Sequence, residues 1–374
     1  MDEATSDRAW LQAMLDVEAA LARAGDRVGL VPAAAAARIT TACRAEDIDA
    51  DAVASGWDCD ATPVVALVEQ LRARVGPEVA PHVHVPATSQ DVLDTATSLI
   101  ARRAVAATAA DLVPVSRLLA ELARAHRDTP QVGRTLLQQG AVTTFGAACA
   151  SGVAAVDDAL GALGLLTREG LAVQLGGAVG SLAGVGDKGP TLVAELAREL
   201  ELVQPTVPWH TARGRVAELA GAIGVLCGAL ASVAQDLVLL SSTEIGEVRL
   251  AATGGSSTMP HKRNPAPAVL ALAAAHRVPG LVATVLGGMP QELQRSTGRW
   301  QAEWATVTEL LRLLGGVARH TRAALDGLEI DTERMRAHVD ELLAGAPLDV
   351  GSAPAFVDRA LAVHDDIQRR ARQV

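Results

Sequence analysis

The chain contains no tyrosine and only two phenylalanines, and all its aromatics together make up 2% of 374 residues. A core so poor in rings has to be closed by packing helices through small aliphatic side chains. Alanine, leucine and valine dominate the chain, 49% of which is hydrophobic and 20% charged, a balance that excludes disorder. Basic residues are in deficit, 33 against 43 acidic ones, for a net charge of −10. That leaves no electrostatic footprint for nucleic acid, and an anionic ligand would need a local basic pocket. The four cysteines, Cys43, Cys59, Cys149 and Cys227, have no metal-ligand spacing and are expected as reduced core residues. Charge or glycine interrupts the apolar runs before the roughly 20 residues that a membrane span needs. The opening Met1-Asp2-Glu3 lacks the basic-then-apolar order of a signal peptide. A soluble cytoplasmic protein without a membrane partner is expected.

What the chain does have is helical period. Trp10, Met14, Val17 and Leu21 mark a first helix over 7–24, and shorter helices follow to Val75, ended by Gly76-Pro77. Asp91 to Ala125 is nearly continuous, with Pro114 the one expected kink. Arg213 to Leu240 is apolar or small almost all round, as in the middle of a bundle. Pro267–Leu286 and Gln301–Leu325 supply two more long helices, and no stretch alternates as a strand would. The fold class is therefore all-α, built on a long central bundle whose remaining apolar stripe is expected to meet another copy. Domain boundaries fall at 1–87, 88–326 and 327–374, the last a short tail broken at Gly345-Ala346-Pro347 and Gly351-Ser352-Ala353-Pro354.

The most informative run is Gly255-Ser256-Ser257-Thr258-Met259-Pro260-His261-Lys262-Arg263-Asn264-Pro265, within a loop at 251–265. Hydroxyls, a lysine, an asparagine and free amides in one short loop suit the holding of a carboxylate and of a developing anion. Its Met259-Pro260 pair is expected to be buried, and Ala251–Gly255 could hinge the loop closed. A second cluster, His84-Val85-Pro86-Ala87-Thr88-Ser89-Gln90-Asp91, precedes a long helix. Thr88 or Ser89 caps it with Asp91 near the capping-box position, and the same hydroxyls at a helix N-terminus suit a carboxylate. Arg134 to Gly146 is a polar segment with no chemistry of its own to declare. Pro208 to Arg215 starts the central helix and brings two arginines. Trp300 and Trp304, four residues apart, suit core packing.

Together, Thr88-Ser89-Gln90-Asp91, Pro208-Trp209-His210-Thr211, Gly255–Pro265 and Trp300–Trp304 resemble the carboxymuconate cycloisomerase branch of the fumarase/aspartase superfamily, from about Ser6 to Arg336. The resemblance implies a helical homotetramer with active sites shared between subunits, no metal and no organic cofactor. It implies interconversion of 3-carboxy-cis,cis-muconate, a tricarboxylate, with a carboxymuconolactone. Ser256 would move the proton alpha to a carboxylate while Lys262 and Asn264 hold the carboxylate as it gains charge. Thr88, Ser89, Gln138, Gln139, Thr143, Arg215, Ser257 and Met259 would contact the substrate, with His84 a candidate proton donor.

Departures from the family pattern sharpen the expectation. Gln138-Gln139-Gly140 stands where Gln-His-Ala is usual, and Val142 replaces a proline. Gln139 cannot act as a general acid, so relatives that must protonate an amine or alkoxide leaving group are disfavoured. A carboxylate needs no such proton, nor does another stable anion such as nitrite, which keeps a lyase acting on a substituted succinate as the alternative. A non-catalytic scaffold would have no physical reason to keep Ser256, Lys262 and Asn264 together. Pro86 replaces a glycine, Ala212 and Gly214 replace a Gln and an Asp, and Leu293 replaces a His. The C-terminal domain is also shortened, with Gly351–Ala360 joined almost directly to the Met335 region.

Overall fold

The computed structural model describes residues Met1–Ala371. In chain order the elements are α1 (Asp2–Thr5), α2 (Asp7–Arg27), α3 (Ala33–Ala42), α4 (Ala50–Asp60), α5 (Val64–Val75), α6 (Ser89–Ala125), β1 (Pro130–Thr135), β2 (Gln138–Thr144), α7 (Phe145–Glu169), α8 (Gly189–Leu200), α9 (Gly214–Leu240), β3 (Val248–Arg249), α10 (Ala266–Ala275), α11 (Val278–Gly288), α12 (Arg299–Leu325), β4 (Glu329–Ile330), α13 (Thr332–Leu343) and α14 (Ala353–Ala371). The all-α class holds. Pro114 lies inside α6, which runs unbroken for 37 residues. The single helix expected at 267–286 is two, because the chain turns at His276-Arg277 just before Pro279 and proline cannot donate into a continuing helix.

Contacts divide the chain into two compact units: Met1–Ala107 with Gly164–Gly221 and Gly280–Arg312, and Thr108–Leu163 with Ala222–Pro279 and the chain from Leu313 onward. In the first unit α2 buries Leu11, Met14, Leu15, Val17 and Leu21 and is tied to α8 by Arg23 and Glu199 at 2.6 Å. Hydroxyls on α6 hold the extended segment after α7: Ser98 Oγ donates to the Ala172 carbonyl at 2.8 Å, and Thr95 Oγ1 accepts from the Gln174 amide at 2.8 Å. Trp300 and Trp304, expected in the core, stack edge to face with centroids 4.6 Å apart, and Trp57 stacks on Trp304 at the same spacing.

In the second unit β1 and β2 form an antiparallel hairpin, and β3 pairs with β4. No strand was expected here. The hairpin escapes a search for alternation because Gly133 and Gly140 interrupt it, and its turn uses Leu136 and Leu137, both at positive φ and exposed, in place of the usual Asn-Gly. Three of the cysteines, Cys43, Cys149 and Cys227, are buried, but Cys59 on α4 is exposed, contrary to expectation. Burial pushes the Cys149 and Cys227 thiols up to about 12, which leaves them inert at neutral pH.

Three helical stretches, Phe145–Glu169, Gly214–Leu240 and Ala266–Gly288, are long and apolar enough to cross a membrane by length and composition. This corrects the expectation that none would be. Alanine, valine and dispersed leucines raise their average hydropathy even though glycines interrupt every leucine-rich run. Val225, Val269 and Leu270 lie exposed on them.

The start of α7 is fixed by Gly146, whose amide donates to the His126 carbonyl at 2.9 Å. A β-carbon there would stand 2.6 Å from that same oxygen and 2.8 Å from the Ala123 carbonyl. Gly146→Ala should therefore cost about 1–3 kcal/mol through backbone displacement, read as a lowered urea midpoint. An unchanged midpoint would mean that this helix start is free to shift.

Candidate active site

In the first unit the site is built at the N-terminus of α6. Thr88 stands at the cap, and its amide donates to Asp91 Oδ2 at 3.0 Å, one half of a capping box. Asp91, 1% exposed, also accepts from the amides of Gly176 and Gly177, both at 2.9 Å, and is 2.6 Å from His210 Nε2. Only glycines allow this approach. A β-carbon on Gly176 would lie 2.7 Å from His210 Cε1, and Gly177 adopts φ +66. With its main-chain duties met by Asp91, the end of α6 leaves the Thr88 and Ser89 hydroxyls without hydrogen-bond partners among the described residues, available to a ligand.

Behind Asp91 lies a second buried charge cluster. Arg213 bridges Asp94 at 2.8 Å and Glu303 at 2.6 Å, and Trp300 Nε1 donates to Asp94 at 3.0 Å. Burial raises the Glu303 carboxyl above its usual range, and the Asp94 charge adds to the rise while Arg213 opposes it. Arg213, not Arg215, thus carries the buried charge at the start of α9. Arg215, expected as a carboxylate partner, donates to the Gly170 carbonyl at 2.7 Å.

Two further groups complete this cluster. His84 adopts φ +70, a strained conformation for a residue with a β-carbon. Its Nδ1 lies 2.6 Å from Glu18 Oε1. Arg295, which the sequence did not single out, donates to the Gly177 carbonyl at 2.6 Å and to Gln90 Oε1 at 3.5 Å. Both acceptors are neutral, so its charge is not cancelled by direct pairing with a carboxylate. Burial lowers its pKa, yet an arginine starts high enough to stay charged.

In the second unit the loop before α10 is closed by reciprocal main-chain hydrogen bonds between Gly254 and Asn264, each 2.9 Å. Ser256 Oγ accepts from the amides of Thr258 at 3.3 Å and Met259 at 3.1 Å. Asn264 Nδ2 donates to the Gly255 carbonyl at 3.2 Å. Lys262 and Ser257 are exposed, as are Met259 and Pro260, which the sequence suggested would be buried. Gln138 and Gln139 sit exposed on β2, and Thr143 is half-buried further along it.

Glu247, fully buried, organises this unit. It pairs with Arg134 at 2.7 Å, accepts from Gln131 at 2.9 Å and lies 2.7 Å from His338 Nδ1. Through these contacts the stem of the loop at β3 holds both the hairpin and α13.

A lyase family model matches residues 1–280. The chain belongs to this family and is an enzyme of the fumarase/aspartase superfamily. It is 44% identical to the 3-carboxy-cis,cis-muconate cycloisomerase of Bradyrhizobium diazoefficiens, over 91% of this chain and 77% of that one. It is 43% identical to the nitrosuccinate lyase of Streptomyces davaonensis, over 91% of this chain and 74% of that one. The solved 3-carboxy-cis,cis-muconate lactonizing enzyme of Pseudomonas putida superposes with a TM-score of 0.92 at 35% identity, over 98% of this chain and 97% of the other.

Glu247 gives the second unit a defined acid limit. Burial works against its charge, but the hydrogen bonds of Arg134, Gln131 and His338 outweigh burial and lower its pKa. A carboxyl lowered by folding contributes stability that is complete above its unfolded value, about 4.3, and is lost as pH falls through the lower folded value. Glu247→Gln should therefore reduce Tm at pH 7 and flatten the acid side of the Tm–pH curve. A parallel loss at every pH would remove the ionic role.

Proposed function

We propose that the protein interconverts 3-carboxy-cis,cis-muconate and a carboxymuconolactone, with Ser256 moving the proton alpha to a carboxylate. The observation that carries this reading is the pair of main-chain amides on Ser256 Oγ. A serine hydroxyl is a poor base in water, and two fixed amide dipoles favour its alkoxide. In lactone opening the alkoxide takes the α-proton, the C–O bond breaks, and its electron pair leaves on oxygen as a carboxylate. Lactone formation reverses each step. Lys262 and Asn264 hold the carboxylate next to the reacting carbon, Ser257 and Met259 shape the loop around it, and Gln138, Gln139 and Thr143 contact the substrate from the hairpin.

Thr88 and Ser89 at the start of α6, with Arg295 linked to Thr88 by three hydrogen bonds through Gly177 and Asp91, form a second carboxylate subsite. His84 contributes to the same subsite, while Arg215 lies behind it. The exposed Val225, Val269 and Leu270 support burial against further copies, and we infer a cytoplasmic homotetramer with shared sites, needing no cofactor.

The exposed Gln139 favours one alternative specifically, the elimination of nitrite from nitrosuccinate, where again no leaving-group proton is required. An ultraviolet assay of carboxymuconate consumption separates the two: rapid loss of the conjugated diene supports the cycloisomerase, and nitrite release from nitrosuccinate with an inert diene replaces it with the lyase. Ser256→Ala should abolish turnover with the assembly intact. Activity within about tenfold of the parent removes Ser256 as the base. Gln139→His should change the rate little, and a large gain would show that the departing group does need a proton.

A further inference from the structure

We infer that Glu18 is a positioning residue for the proposed reaction, holding Nδ1 of His84 so that its Nε2–H binds a substrate carboxylate without giving up its proton. The inference rests on the proposed binding of a polycarboxylate at the start of α6 and names the part of that subsite which discriminates charge. Glu18 lies on the buried stripe of α2 with a side chain that is 0% exposed, and that of His84 is 15% exposed. Glu18 Oε1 takes His84 Nδ1 at 2.6 Å, and Oε2 is buried with no hydrogen-bond partner. A carboxylate desolvated on both oxygens and bonded on one needs a cation beside it, and His84 is the group in contact.

The charges around the imidazole act in the same sense on balance. Burial opposes the imidazolium, but Glu18 on α2 and Asp91 on α6 favour it and Arg72 on α5 disfavours it, with the result that the ring titrates above its ordinary value. With Nδ1 committed to Glu18, Nε2 is the ring's remaining N–H. The positive φ of His84 sets the ring at a bend four residues ahead of Thr88, whose hydroxyl is unengaged. A carboxylate formed or consumed during lactone opening is already a stable anion. A fixed cation therefore suits it better than an acid, which also accounts for the absence of a histidine at Gln139.

The test exploits pH. Glu18→Gln keeps the shape and can still accept from Nδ1–H, so it removes the charge while preserving ring orientation. Binding of tricarballylate, an unreactive tricarboxylate, and kcat/KM for carboxymuconate are measured from about pH 5.5 to 9, across the ordinary histidine range. The parent should hold its affinity to higher pH than Glu18→Gln. The variant should lose at least about tenfold at pH 8 yet recover to near-parent values at pH 5.5, where an ordinary histidine is charged. Glu18→Asp, which restores the charge, should recover part of the alkaline affinity. His84→Gln should bind weakly at every pH with no alkaline limb.

A Glu18→Gln profile parallel to the parent's, or a loss that acid does not rescue, overturns the inference. The His84 Hε1 resonance, assigned by its disappearance in His84→Gln, reads the pair without substrate. A titration point that does not fall in Glu18→Gln also overturns it. If the resonance shifts as expected but the parent neither binds tricarballylate nor turns over carboxymuconate, the pairing stands, the proposed function fails, and the carboxylate-holding role falls with it.

Discussion

Everything positioned in the first unit hangs on the desolvation of one carboxylate. Asp91 is out of water, so each lone pair it does not share costs free energy, and burial is tolerable only where donors are collected around it. It collects them from three separate parts of the chain: the cap of α6, the Gly176-Gly177 turn and His210 before α9. None of these segments has a regular hydrogen-bonding ladder of its own at that point. The same requirement explains the glycines, since any side chain at Gly176 would hold the donors off. The capping of α6 by Asp91 is what leaves the Thr88 and Ser89 hydroxyls unengaged.

Glu247 repeats this logic in the second unit with a different result. Its partners come from a strand and a helix rather than from turns, so it clamps regular elements to the stem of a loop. The loop itself is held by little more than the Gly254–Asn264 pair and the Ser256 turn. A rigid stem under a lightly tethered loop is the arrangement that substrate closure requires.

The long helices were legible in the sequence because their apolar period survives over many turns. Asp7, Asp91 and Leu325 fall at or within a few residues of the observed ends. The signature run was legible for another reason: its residue types have little use together in a plain turn. The hairpin was not legible, since Gly133, Gly140 and the Leu136-Leu137 turn obey neither the period nor the turn chemistry of isolated strands. Arg295 gave no signal because its shorter hydrogen bonds go to the main-chain oxygens of Gly177 and Gln294, which have no residue identity. Glu18 does carry one: it interrupts the stripe of Met14, Val17 and Leu21, and an acid on a buried stripe requires a partner. The domain boundaries at 87 and 326 mark changes in helix length, whereas the contacts divide α6, α7, α9, α11 and α12 along their lengths. Composition cannot register a division of that kind.

The departures from the family pattern are coherent once charge is followed in place of residue identity. Removing a histidine at Gln139 takes away a proton donor, and a donor matters only when the departing group would otherwise be a strong base. A departing carboxylate is a weak one. What it does require is compensation for lost hydration as the site closes, and that task belongs to fixed cations and oriented amides. The α6 cluster supplies the cations, with Arg295 bonded only to neutral oxygens and His84 backed by a buried carboxylate. An acidic protein with a net charge of −10 repels anions at long range. Binding of a polycarboxylate would therefore have to be generated locally, by cations that either lack a carboxylate partner, as Arg295 does, or have it buried behind them, as His84 does.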